Sequence, residues 1–172
     1  MFLEMRESKT LNYFGYGANA SPSLMRALLG RVPESVPAML RHYRLYIEPW
    51  HAIPPVAQAK LIDYWKPKRF QRYVIRRRRG QTVEGVLWGI TPVERRIIRE
   101  WDMSDGKWTE EQFVVVKLPN EERVLAETDI RSEWSDDLIL SSGEQVFLND
   151  RNQMVSAAER VRQSVTKHHS TL

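Results

Sequence analysis

The chain contains no cysteine in its 172 residues, which excludes disulfide staples, thiolate nucleophiles and cysteine-rich zinc sites together. Histidine is scarce. His42 and His51 are separated by an apparent strand, and His168 and His169 sit in a polar tail, so no histidine or mixed histidine and carboxylate spacing marks a metal centre. No apolar run approaches the roughly 18 residues that a bilayer span requires. The opening MFLEMRESKTLN carries two glutamates where a secretory signal needs an apolar stretch. The expectation is a soluble, cytoplasmic protein with no membrane partner. Internal repeats and low-complexity segments are also missing.

What is present is ordinary for a globular chain: 42% hydrophobic and 10% aromatic residues, at a length that supports one well-buried core. A single domain over 1–172 is expected, with 151–172 forming a C-terminal helix and a polar tail. The net charge of +4 is concentrated in RFQRYVIRRRRGQT, residues 69–82. Arg76 to Arg79 could meet a phosphate or an acidic ligand, but a run ending at Gly80 between two β-rich stretches reads as the solvated tip of a hairpin. Trp88 and Trp101 occupy core-type positions and no RNA-binding motif occurs, so a nucleic-acid partner is not expected.

Leu11 to Tyr16 suits a strand, and SPSLMRALLG offers Ser21 as N-cap, Pro22 at the first helical position and Gly30 as the stop. RHYRLYIEPW alternates like a half-buried strand, residues 49–70 look irregular, and QRYVIRRRRGQTVEGVLWGI reads as two strands around a turn at Arg79 and Gly80. TPVERRIIREW is the clearest helix: Thr91 and Glu94 make a capping box, and Val93, Ile97 and Trp101 share a face. QFVVVKL and RVLAETDI pair as strands around PNEE, and the last amphipathic segment runs from Arg151 to Thr166. Without regular βαβ alternation, this pattern predicts an α+β fold with a mainly antiparallel sheet or small barrel.

Two segments could carry chemistry. The loop in YFGYGANAS sets the backbone N–H groups of Gly17, Ala18 and Asn19 near a helix start, with little bulk to keep a carboxylate or oxyanion away. EWDMSDG places Asp102 and Asp105 on a turn directly after a well-capped helix, where a carboxylate can act as a general base or merely cap and solvate the turn.

From about Leu11 to Ile130 the chain resembles the γ-glutamylcyclotransferase-like, or AIG2-like, family. Tyr16, Gly17, Ala18 and Asn19 match its Tyr-Gly-Ser-Asn opening, HYRLYI its second strand, and Val83, Gly85, Leu87 and Trp88 its V-x-G-x-l-y strand. Trp101, Asp102, Met103, Ser104, Asp105 and Gly106 match its Leu-Asp-x-x-Glu-Gly turn. The resemblance implies a small mixed β-barrel flanked by a few helices, and a pocket between the opening loop and the acidic turn. It further implies a small-molecule γ-glutamyl substrate that is cyclised to 5-oxoproline with release of an amine. Tyr16, Gly17, Ala18, Asn19 and Trp108 are then the binding residues and Asp105 the catalytic acid and base; no cofactor or metal is implied, and oligomeric state is left open.

Asp105 departs from the family glutamate by one methylene, Ala18 from its serine, and Trp108 from its usual tyrosine. A degenerate member that only binds a small acid, or serves as a protein-interaction module, is the alternative.

Overall fold

Strands built from alternating apolar residues can bury one face only by packing on a second layer or by closing on themselves. This chain closes. The computed structural model describes residues 9–64, 70–104, 108–131 and 135–169. The element order is β1 (Leu11–Gly15), α1 (Pro22–Leu29), β2 (Ser35–Glu48), α2 (Pro55–Tyr64), β3 (Arg72–Ile90) and α3 (Pro92–Asp102), then β4 (Glu110–Lys117), β5 (Arg123–Ile130), β6 (Ile139–Leu140) and α4 (Arg151–His169).

The strands follow the order β3-β1-β5-β4-β2-β6, and β2 also pairs with β3, so five strands form a closed barrel with β6 on its rim. All pairings are antiparallel except β1 with β5, which makes the barrel mixed. The α+β barrel expected from sequence is the fold observed. Phe14, Leu40, Leu45, Ile75, Val83 and Val116 fill its interior. A second layer sits outside β1 and β3, where Leu24 and Leu28 of α1, Ile97 and Ile98 of α3 and Val161 of α4 meet Tyr13, Trp88 and Ile90. Among the described residues no helix is long and apolar enough to cross a membrane.

Three readings of local structure are corrected. Residues 72–90 are one long strand rather than a hairpin: both halves pair with β2, whose register jumps from Arg41 opposite Thr82 to Tyr43 opposite Arg77. Residues 78–81 therefore form a bulge facing His42, whose Nδ1 accepts the Gly80 N–H at 3.2 Å. The charge run is solvated, as the exposure of Arg77, Arg78 and Arg79 shows, but on a bulge and not on a turn.

The stretch called irregular holds α2, which starts at Pro55. Proline at the first helical position stabilises a helix start, so Pro55 opens this helix instead of interrupting one. On α3 the capping box is present, yet Val93 is exposed while Glu94, Arg95, Ile97 and Ile98 are buried. The apolar stripe is displaced because Glu94 and Arg95 both have ion-pair partners, Arg31 and Asp129.

Candidate active site

β1 leads directly into the site. After Gly15 the chain folds back through a tight 3-10 turn, Gly17–Ala20, before α1 begins. A Cβ on Gly15 would overlap the carbonyl of Asn19, the same oxygen that accepts the Trp88 indole N–H at 2.9 Å. Gly17 has φ +59, and a Cβ there would lie 2.9 Å from the Tyr73 ring. Both strain and crowding oppose a side chain, so Gly17→Ala is expected to lower stability by about 1–3 kcal/mol, read as a shift in the urea unfolding midpoint.

Asn19 fastens this turn to the end of α3. Its Nδ2 donates to both oxygens of Asp102, at 3.0 and 2.9 Å, and to the Tyr13 hydroxyl at 2.9 Å. Its Oδ1 accepts from the Trp101 indole at 3.1 Å. Asp102 is the last residue of α3, which Met103 ends in the left-handed conformation, φ 52. A helix with a defined stop therefore delivers a carboxyl to the opening loop.

Asp102 meets a second carboxylate there. Asp129, near the end of β5, is within hydrogen-bonding reach of it and is buried. Both Arg95 terminal nitrogens donate to Asp129, at 3.2 and 3.1 Å, and the Ser104 hydroxyl donates at 2.7 Å. Arg95 Nε also donates to Glu127 at 2.7 Å. Burial works against the Arg95 charge, but the carboxylates around it outweigh that penalty and raise its pKa.

For Asp102, burial first and then the proximity of Asp129 raise the pKa well above the usual carboxylate range, against weaker opposing effects of Arg72 and Asn19. Two carboxyl groups this close do not both ionise cheaply, and Arg95 is bonded to Asp129 rather than to Asp102. Burial, with Asp102 and Asp129 nearby, likewise holds the Tyr13 phenol neutral.

The sign of the pH dependence follows. As pH rises past about 4, the ordinary range of an aspartate, the unfolded chain releases the Asp102 proton while the folded chain retains it. Stability attributable to Asp102 is therefore fully present below that pH and is lost as pH rises through its raised folded value. Asp102→Asn keeps the shape of the protonated acid and removes this loss. The variant is expected to gain stability relative to the parent between pH 4 and 8, measured by denaturant unfolding at a series of pH values.

A cavity of about 90 Å³ opens beside these groups. Tyr16, Ala18 and Asn19 form one side, Trp101, Asp102 and Asp129 another, and Arg72 and Trp108 a third. Leu148 and Met154, before and within α4, also line it.

Below it, Glu48 at the end of β2 is fully buried and organises three partners. Its Oε2 accepts from Arg72 Nε at 3.1 Å and from the Trp108 indole at 2.9 Å, and its Oε1 accepts from Arg131 Nε at 2.9 Å. The Arg72 guanidinium lies 3.3 Å above the Trp108 ring centre.

No protein-family model matches the sequence, and neither does any curated protein sequence. Solved structures do match the fold. One is a γ-glutamyl cyclotransferase, 12% identical with TM-score 0.60 over 94% of this chain and 86% of the other. An uncharacterized protein from Homo sapiens is 12% identical, TM-score 0.60, over 91% and 86%. A protein from Arabidopsis thaliana is 18% identical, TM-score 0.57, over 94% and 87%.

This chain has the γ-glutamyl cyclotransferase-like fold.

Within that fold, the residues singled out from sequence are distributed unevenly. Tyr16, Ala18, Asn19 and Trp108 line the cavity and Gly17 does not. The Gly17 N–H, expected to face a ligand, instead donates to Gln145 Oε1 at 2.6 Å. The Trp108 indole N–H is directed to Glu48, so Trp108 offers the cavity its ring and not a donor. The Tyr16 hydroxyl donates to the backbone carbonyl of Asp129 at 2.7 Å. Asp105 and Gly106 lie outside the described residues. None of Arg76 to Arg79 lines this cavity; Arg77 borders a separate groove with Arg41, Lys117 and Arg123.

Sequence reasoning missed Arg72, Arg95, Glu48 and Asp129. A signal existed for the last: Glu127 and Asp129, two apart on a strand, must share one side of it, and Arg95 lies on the α3 face that packs inward.

Proposed function

We propose that this chain is a γ-glutamyl cyclotransferase-type enzyme that converts a γ-glutamyl amide into 5-oxoproline and a free amine. The supporting observation is a cavity bounded by the opening loop and by the acidic end of α3, with the two held together through Asn19 and Asp102. In this reading the substrate's α-amine attacks its own γ-carbonyl carbon. One C–N bond forms, the original amide C–N bond breaks, and one proton passes from the attacking nitrogen to the departing one. The reaction is redox-neutral and intramolecular. The protein has to fold the glutamyl chain back on itself and relay a proton.

Tyr16, Ala18, Asn19 and Trp108 bound the glutamyl chain, and Gly17 contributes by permitting the turn. Asp105, at the family's glutamate position, is the proton carrier. Ala18 takes the serine position and leaves its backbone N–H as the group that can meet the substrate. Tyr13 and Asp102 are both occupied in fixing Asn19, so their role is positional.

The test is 5-oxoproline release from a panel of γ-glutamyl dipeptides and γ-glutamyl amines, quantified by mass spectrometry. Release from at least one class is expected. No release from any, by protein with a native unfolding transition, would sink the enzymatic reading and leave a small-acid binding protein.

A further inference from the structure

Arg72 is held by two partners and keeps one buried nitrogen unmet. Its Nε is bonded to Glu48, its plane is stacked on Trp108, and Glu48 is itself fixed by the Trp108 indole and Arg131. The guanidinium therefore cannot swing to find another partner. Yet its Nη2 is buried and has no hydrogen-bond partner among the described residues, while Arg72 lines the cavity together with Tyr16, Asn19 and Asp102. A buried, charge-bearing donor left without a partner is costly, because it has lost its water without gaining an acceptor. It is also the donor type that matches carboxylate geometry best.

We infer that Arg72 is the carboxylate receptor of this cavity, with Nη2 donating to a carboxylate oxygen of the bound ligand while Trp108 and Glu48 hold the guanidinium in place. The charge arrangement agrees. Asp129 is paired with Arg95, and burial, then Asp129 beside it, disfavours a charge on Asp102, so these acids oppose an incoming anion only weakly. Glu48 takes the Nε side of Arg72, and Nη2 has no partner among the described residues.

The inference rests on the cyclotransferase reading only for the ligand skeleton. A γ-glutamyl compound offers two carboxylates: the glutamyl α-carboxylate, and one on the departing amine when that amine is an amino acid. The chemistry at Arg72 is the same for both, and three unreactive probes separate them. Glutaryl-alanine lacks the α-amine, cannot cyclise and keeps both carboxylates. Glutaryl ethylamide keeps only the glutamyl-side acid, and butyryl-alanine only the amine-side acid. Butyryl ethylamide has neither and is the neutral reference.

Calorimetric titration of the wild-type protein is expected to show glutaryl-alanine binding about 10- to 100-fold tighter than the neutral reference. The single-acid probe that retains this advantage identifies which carboxylate Arg72 holds. Arg72→Gln, and separately Arg72→Lys, are expected to remove most of the advantage from that probe while leaving the neutral reference unchanged. Arg72→Lys keeps the charge opposite Glu48 and so guards against loss of fold.

Equal binding of acidic and neutral probes by wild type overturns the inference. So does failure of every probe to bind, or full retention of the advantage in either folded variant. Because no probe can form 5-oxoproline, carboxylate recognition succeeds or fails independently of turnover. Conversely, 5-oxoproline release with no acid preference would uphold the enzyme and remove the receptor.

Discussion

Asp129→Ala is expected to lower stability by about 3–5 kcal/mol, the range for removing one partner of a buried ion pair. The size follows from what is left behind. Arg95 is 1% exposed and cannot reach water, so loss of Asp129 leaves its guanidinium with Glu127 at 2.7 Å and Glu111 at 3.9 Å. Ser104 loses its acceptor at the same time. For a protein whose total stability is of the usual order, about 5–15 kcal/mol, this is about a fifth or more of the whole.

The measurement is the free energy of denaturant unfolding at pH 7, with Arg95→Met and the Arg95→Met/Asp129→Leu double variant run alongside. The double variant should lose clearly less than the sum of the two single losses, because it removes both charges and leaves none stranded. A loss below about 1 kcal/mol for Asp129→Ala would show that Arg95 finds other compensation. The pair would then not be the joint between α3 and β5.

The same joint explains why the fold was more legible than the site. Strand and helix patterns depend on local alternation and on cap chemistry, and these are written consecutively: Thr91, Pro92 and Glu94 define the start of α3 within four residues. The closed barrel was reachable because strand segments without βαβ spacing have few other ways to bury their apolar faces. α2 was not, since Pro54 and Pro55 signal a break unless the following helix is already known. The bulge at residues 78–81 was hidden for a related reason. An arginine run beside a glycine is common to hairpin tips and to bulges, and the partner strand decides between them.

The site is assembled from residues far apart in the chain, and sequence shows residue types without pairings. Glu48 and Arg131 are 83 positions apart, Asn19 and Asp102 also 83, and Arg95 and Asp129 34. A buried arginine on a helix face reads locally as an interruption of the apolar stripe, and only the strand beneath converts it into a partner. Motif spacing did mark the loop at Tyr16 to Asn19 and the acidic turn at Asp102. What it left out was that Asn19 is used to lock those two together, and that the Gly17 N–H is taken by Gln145 from the segment between β6 and α4.

Asp105→Ala is expected to reduce 5-oxoproline release by at least about 100-fold, the lower end of what a positioned acid or base contributes, without an equal change in KM. Asp102 is the nearest competitor for that role, and its surroundings argue against it. Its oxygens accept from Asn19 and Tyr13, and burial, then the neighbouring Asp129, raises its pKa and favours the protonated form, whereas a base must be free to accept. Asp105 stands three residues further along the sequence, past the left-handed stop at Met103.

Asp102→Asn separates the two. It preserves the hydrogen-bonding shape of the protonated acid and is expected to lose less than about tenfold; if Asp102 were the base, this variant, and not Asp105→Ala, would abolish release. Asp105→Glu tests reach. The added methylene extends the carboxylate by roughly 1.3 Å, and a misplacement of about 1 Å is enough to cost on the order of 100-fold. A faster Asp105→Glu enzyme would mean that the shorter acid limits the rate, and a slower one that the cavity around Trp108 and Arg72 is fitted to an aspartate.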